Sequence, residues 1–381
     1  MEKLNSFLGW QLESIPSPNS IRNWAQKSGY YIYEDTDIND FPEGYAAIVD
    51  ESMMVGSEKL LLTLGVSSVK TKEEALSDED VRVLNMRVQT SWNSTGIGRV
   101  FEEVEKKMTG SPAYVVSDNA STISKAVRDK GYIHIRDVGH TFGLFIQQVY
   151  EKEEDFRQFM KEVSGVKFRE VMRPSAYLLP PKQRTIARFM NLSGTVKWAA
   201  TMLKSFNRLS PEEQVIFSFI PQHRQLILEM EEVFTSVNSL LQRLKKSGIS
   251  TTTAEECTGD IELLQASQYQ RVVTVGGLIA TYIQKENGKK SIPEEKWHIS
   301  SDVIESLFGS YKARKSPNAM NGVTKQIFIL PLLTRINAKK GLTSGWFKTC
   351  LEYVFLKDLD EWKDEHLSEN RTVKRRKLLC T

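Results

Sequence analysis

GYAAIVD (44–50) is an apolar run that ends in an acid, and its reading as a strand sets the fold class. Outward from it, KLLLTLGV (59–66) is a second apolar run closed by a small-residue turn, and Arg82–Val88 alternates with the period of a strand. The chain then predicts a helix from about Gly98 to Met108 and a short buried strand, AYVVSD (113–118). A helix over Asn119–Asp129, stopped by Gly131, the strand YIHIRD (132–137) and a helix opening at about Gly139 follow.

The resulting order, β-β-β-α-β-α-β-α, is that of the RNase H-like α/β fold, a mixed sheet with helices on both faces. After about Tyr150 the period lengthens to 3.6 over Asp155–Val163, Gln183–Phe206, Pro211–Lys246 and Glu255–Asn287, so an all-helical insertion domain is expected over 151–295. It would interrupt a core whose first part is 41–150 and whose second part is 296–340. That second part holds a helix from about Ser301 to Arg314, with the apolar stripe Val303, Ile304, Leu307, Phe308 and Tyr311, and an apolar helix Val323–Ile336. Residues 1–40 are expected to carry a partial DNA-binding helical segment, NSIRNWAQKSG (19–29), offering Arg22, Trp24 and Lys27 to a groove or backbone. Residues 341–381 are read as an amphipathic helix and a basic tail.

Of the 381 residues 40% are hydrophobic and 26% charged, with net charge +3, which excludes collagen-like and disordered classes. Cys257, Cys350 and Cys380 are far apart and odd in number, so they form neither a disulfide framework nor a metal knuckle, and a reducing compartment is expected. No apolar stretch approaches the roughly 20 residues that cross a bilayer, and residues 1–20 show no basic head followed by an apolar run. Neither membrane nor secretion is expected. Charge is unevenly spread: Val171–Ser210 holds seven basic residues and no acid, Ser306–Leu351 eight and no acid, and the tail carries Arg371, Lys374, Arg375, Arg376 and Lys377. Such runs are either solvated faces or surfaces for a polyanion.

Three carboxylates fall where this fold would gather them. Asp50 ends the first strand, Asp118 ends the fourth, and Glu305 lies on the helix after the insertion. Each also has a plain structural reading: Asp50 as a strand-end turn residue, Asp118 as an N-cap, and Glu305 as the N3 partner of Asp302 in a capping box. Together they make a set of hard oxygen ligands suited to two Mg²⁺ ions about 3.5–4 Å apart, an arrangement that cleaves and joins phosphodiesters without a protein nucleophile. No GxSxG, P-loop or HExxH motif competes with that reading.

The segments IVDES (48–52), VVSDNAS (115–121) and VIESLFGSYKARK (303–315) resemble the DDE transposases of mobile elements. Asp118 follows Asp50 by 68 residues and Glu305 follows Asp118 by 187 (118 − 50 and 305 − 118), and the long second gap resembles members with a helical insertion. Lys312, seven residues after Glu305, matches a basic residue common in these enzymes, and Asp137-x-x-His140 resembles the Cys/Asp-x-x-His signature of the Mutator-like and hAT-like groups. Without the family, Asp137 and His140 read as a capped helix start. The resemblance implies Asp50, Asp118 and Glu305 as catalytic metal ligands for two Mg²⁺ ions, with Mn²⁺ as substitute, and Asp137 with His140 in support. DNA contacts are expected from Lys312, Arg314, Lys315, Arg184, Arg188 and Trp198, the last by stacking on an unpaired base, although a core tryptophan fits the same residue; Trp297 shares that ambiguity. The implied activity is cleavage of element ends and their transfer to target DNA by a homo-oligomer, nucleoid-associated in a prokaryote or nuclear in a eukaryote. A nuclease without strand transfer and a noncatalytic DNA-binding derivative are the alternatives.

Overall fold

The computed structural model describes residues 16–51, 58–181, 189–315, 322–336, 343–367 and 371–380. Its elements open with α1 (Pro18–Asp35), β1 (Tyr45–Glu51), β2 (Lys59–Ser67), β3 (Arg82–Gln89), α2 (Ser94–Met108), β4 (Val115–Ser117), α3 (Ser121–Asp129) and β5 (His134–Arg136). Helices α4 (Val138–Tyr150), α5 (Glu154–Glu170), α6 (Ser193–Ser205), α7 (Pro211–Ile216), α8 (Phe219–Gln222), α9 (Arg224–Ser247), α10 (Thr251–Glu256), α11 (Thr258–Gln265) and α12 (Gln270–Asn287) follow. The last are α13 (Asp302–Arg314), α14 (Ile329–Ile336), α15 (Ser344–Tyr353), α16 (Leu356–His366) and α17 (Arg371–Leu379). By contact the chain divides into two compact units, Met1–Ser68 with Leu76–His134 and Ser301–Thr381, and Val69–Ala75 with Ile135–Ser300.

The first unit is mixed α/β. Its sheet runs β3-β2-β1-β4-β5, with β1 antiparallel to β2, β2 antiparallel to β3, and β1 parallel to β4; the boundary between units falls inside β5, after His134. Side chains alternate across a strand, so the two faces of β1 can be told apart. Ala47 and Val49, with Val115 of β4, pack in one cluster with Ile97, Val100 and Phe101 of α2 and Ile123, Ala126 and Val127 of α3. Ala46 and Ile48 face the other way and are equally buried, because α13 packs against β1 and α14 against β3. The sheet therefore has helices on both faces.

The sequence reads α1 as part of a DNA-binding helical segment; in the structure α1 packs within the first unit. It starts at Ser17, whose hydroxyl accepts the Ser20 N–H, with Pro18 in the first turn where no N–H is needed. It lies so close to the chain before α14 that a Cβ on Gly29 would stand 1.8 Å from the Phe328 carbonyl oxygen. Trp24 meets Phe347 edge-on, and Lys27 donates to the Leu351 carbonyl. Both side chains reach α15, while Trp24 stays exposed over about a third of its surface.

The second unit is helical. Glu229, buried on α9, is held by Arg271 of α12 at 2.7 and 2.8 Å and by the Tyr150 hydroxyl at 2.9 Å, while the same guanidinium reaches Asp155 at 2.8 and 2.9 Å. The single helix that periodicity suggests over Pro211–Lys246 is three, α7, α8 and α9; Pro221 has no N–H to give the Phe217 carbonyl four residues before it, which fits the break between α7 and α8. No described helix is long and apolar enough to cross a membrane.

Candidate active site

Register brings the first two acids together. Ile48 pairs with Val116 and Val49 with Ser117, and Asp118 is the first residue after β4, so the register continued by one step runs from Asp50 to Asp118. Both continue the alternation of Ile48 and Val116, which faces away from α2 and α3, and this is the face on which α13, carrying Glu305, packs against β1. Glu51 alternates to the opposite face, where it pairs with Lys59 across the β1–β2 hairpin. Adjacent acids in sequence thus serve different sides of the sheet.

Two of the plain structural readings give way. Helix α3 is capped at Ala120, without a side-chain bond, and Asp118 accepts the Ala120 N–H at 2.9 Å as a local turn residue instead. Helix α13 has Ser301 at its N-cap, which makes Glu305 the fourth helical residue and not the third, out of register for a capping box with Asp302. Asp50 accepts the N–H of Glu51 at 2.8 Å.

The donor set, three carboxylates with no thiolate, fits hard divalent ions. The described side chains do not form a ready-made cluster, however: no group of three or more His, Cys, Asp or Glu among them is arranged to hold a metal. Carboxylates without a cation repel one another, and here two of them turn to backbone N–H groups.

Seven residues on from Glu305, Lys312 lies over the Phe308 ring at 6.0 Å, and Arg314 donates to the Ser310 carbonyl near the end of α13, beside Lys315 at the C-cap. In the second unit, Asp137 is fully buried, caps α4, and accepts both the His140 N–H at 2.7 Å and, across 2.9 Å, its Nδ1. Trp198 on α6 donates its indole N–H to the Leu178 carbonyl at 2.8 Å and packs edge-on against Phe217, so its ring is built into the helical body. Trp297, buried, donates to Glu295 and bridges to Ile249. Arg184 and Arg188 lie outside the described residues.

The acid-free runs are less basic in space than in sequence. Lys325 pairs with Asp360, Arg335 with Asp40, Arg173 with Glu170 and Lys204 with Glu231. One polar contact next to Asp118 along the chain, on the other face of the sheet, escaped the sequence reading: His134, on β5, meets the buried Ser117 hydroxyl at 2.8 Å, and that hydroxyl also donates to the Asp118 carbonyl. Nothing in the spacing of His134 marks it, because the contact is made between strands.

In the first unit a cavity of about 620 Å³ is lined by Tyr33, Asn85, Arg87, Lys107 and Trp362 among others, and by none of the three acids. Burial pulls the Lys107 ammonium down to about 8. The chain matches no protein-family model and no curated protein.

Proposed function

We propose that the chain is a DNA transposase with an RNase H-like core, cleaving the ends of a mobile element and joining them to target DNA. The observation that supports this reading is the parallel register of β1 and β4, in which Val49 pairs with Ser117, so that Asp50 and Asp118 are the next residues of the two chains, with the Glu305 helix packed against β1. The strand order β3-β2-β1-β4-β5, with β1 antiparallel to β2 and parallel to β4, supports it, as does the 166-residue helical stretch, Ile135–Ser300, between β4 and α13.

Asp50, Asp118 and Glu305 would hold the ions, leaving their hydrogen bonds to backbone where these compete. When bound, two Mg²⁺ ions, or Mn²⁺, supply activation of the attacking water or 3′-hydroxyl and stabilisation of the leaving oxygen. Lys312, two turns along the same helix, would hold a phosphate oxygen of the scissile strand. His134 would fix the end of β4 through Ser117, keeping Asp118 abreast of Asp50.

The test is an assay of duplex ends with Mg²⁺ and with Mn²⁺. Cleaved and joined products are expected from the native chain and neither from Asp118→Asn, with DNA binding retained by both. Cleavage without joining would favour a nuclease, and binding without cleavage a noncatalytic derivative. Cleavage by Asp118→Asn at the native rate would end the assignment.

A further inference from the structure

Within the acid-free runs Arg173, Lys204, Lys325, Arg335 and Lys348 pair with acids, and a further concentration of basic side chains stands on the C-terminal helix. In α17, Lys374, Arg375 and Arg376 are consecutive and exposed, and no acid occurs from Arg371 to Thr381. No other described element packs extensively against this helix, and its terminal Leu378 and Leu379 are each 71% exposed. At 100° per residue the three cations fan around more than half of the helix circumference, so they repel one another and cannot be satisfied by one flat acidic surface. Nine residues are also too few for a helix to be stable by itself in water. A polyanion that follows the helix relieves both problems.

We infer that α17 is a sequence-independent contact for the phosphate backbone of duplex DNA, an inference that rests on the DNA-directed reading above. Duplex DNA is favoured over a lipid surface because the exposed leucines sit at one end only. A helix that lies in a bilayer needs an apolar face along its whole length. The helix would raise general affinity and tether the chain to any duplex, leaving selection of sequence to other parts of the protein.

The experiment compares the full chain with its triple variant Lys374→Ala, Arg375→Ala, Arg376→Ala on two duplexes of unrelated sequence, by fluorescence anisotropy across a salt series. Losing three phosphate contacts makes the slope of log K against log salt shallower by about 2.7, so that between about 50 and 200 mM salt the native chain loses roughly 40-fold more affinity than the variant. The change should be the same on both duplexes, with the melting temperature unaltered because the three side chains are exposed. Equal slopes in the two proteins would overturn the inference alone. Failure of the native chain to bind either duplex would overturn it together with the reading on which it rests. Loss of binding to phosphatidylserine vesicles in the variant, with unaltered binding to DNA, would assign the helix to membranes instead and equally overturn it.

Discussion

Asp118 accepts one backbone N–H, and an amide oxygen can accept it equally well, so Asp118→Asn isolates charge from shape. Its stability should stay within about 0.5 kcal/mol of native by thermal melting, while cleavage collapses. Replacing His134 tests the neighbouring contact. His134→Phe should cost about 1 kcal/mol in melting by stripping the Ser117 hydroxyl of one partner, and His134→Gln, which keeps a polar group within reach, should recover most of it. The positions of Asp50 and Asp118 at the ends of buried apolar runs were legible in the sequence because a carboxylate interrupts each run. His134 was not, since its role depends on which strand lies beside β4. The contacts of Trp24 with Phe347 and of Lys27 with the Leu351 carbonyl were illegible for the same reason, since they depend on which helix lies beside α1.

Among elements, α13 matters most, and the chain that follows it is fastened to the sheet. Gly322 has φ +58°, and a Cβ there would stand 2.6 Å from Oε2 of Glu58, the buried carboxylate that accepts the Val323 N–H at 2.8 Å. Gly322→Ala should therefore destabilise by about 1–3 kcal/mol, read by chemical denaturation, through backbone strain and displacement of that carboxylate. Helix α2 supplies a pH dependence. With the Lys107 ammonium lowered to about 8 by burial, against about 10.4 unfolded, the unfolded chain holds more protons on this group between those values. Stability should rise as pH goes from about 8 towards 10, and the rise should be shallower in Lys107→Met. Burial and nearby carboxylates push Tyr30 up to about 12, which acts in the opposite sense above pH 10, where the unfolded chain gives up that proton first. Element boundaries were legible to within a few residues wherever a periodic run met a cap or a glycine. The breaks inside Pro211–Lys246 were not, because apolar residues continue across them.

For the whole molecule, the charge runs show what a one-dimensional reading leaves out. Val171–Ser210 and Ser306–Leu351 contain no acids, yet Lys325, Arg335 and Lys204 find theirs on segments 27 to 295 residues away in sequence. Two units with separate cores also predict a local response to damage. Arg271→Ala leaves Glu229 buried without its counter-charge, at a cost of about 3–5 kcal/mol. Hydrogen exchange should accelerate in α4, α9 and α12, while β1 and β2 keep their protection.

The division of the sheet unit along the chain has a consequence during synthesis. Strand β4 is complete at Ser117, but α13, which covers the opposite side of β1 from α2 and α3, begins at Asp302. At about 5–20 residues per second, the ribosome takes roughly 10–40 s to make the intervening stretch. Throughout that interval Ala46 and Ile48 lack their cover, so the nascent chain offers a sticky half-built sheet to chaperones and to its neighbours on the same message.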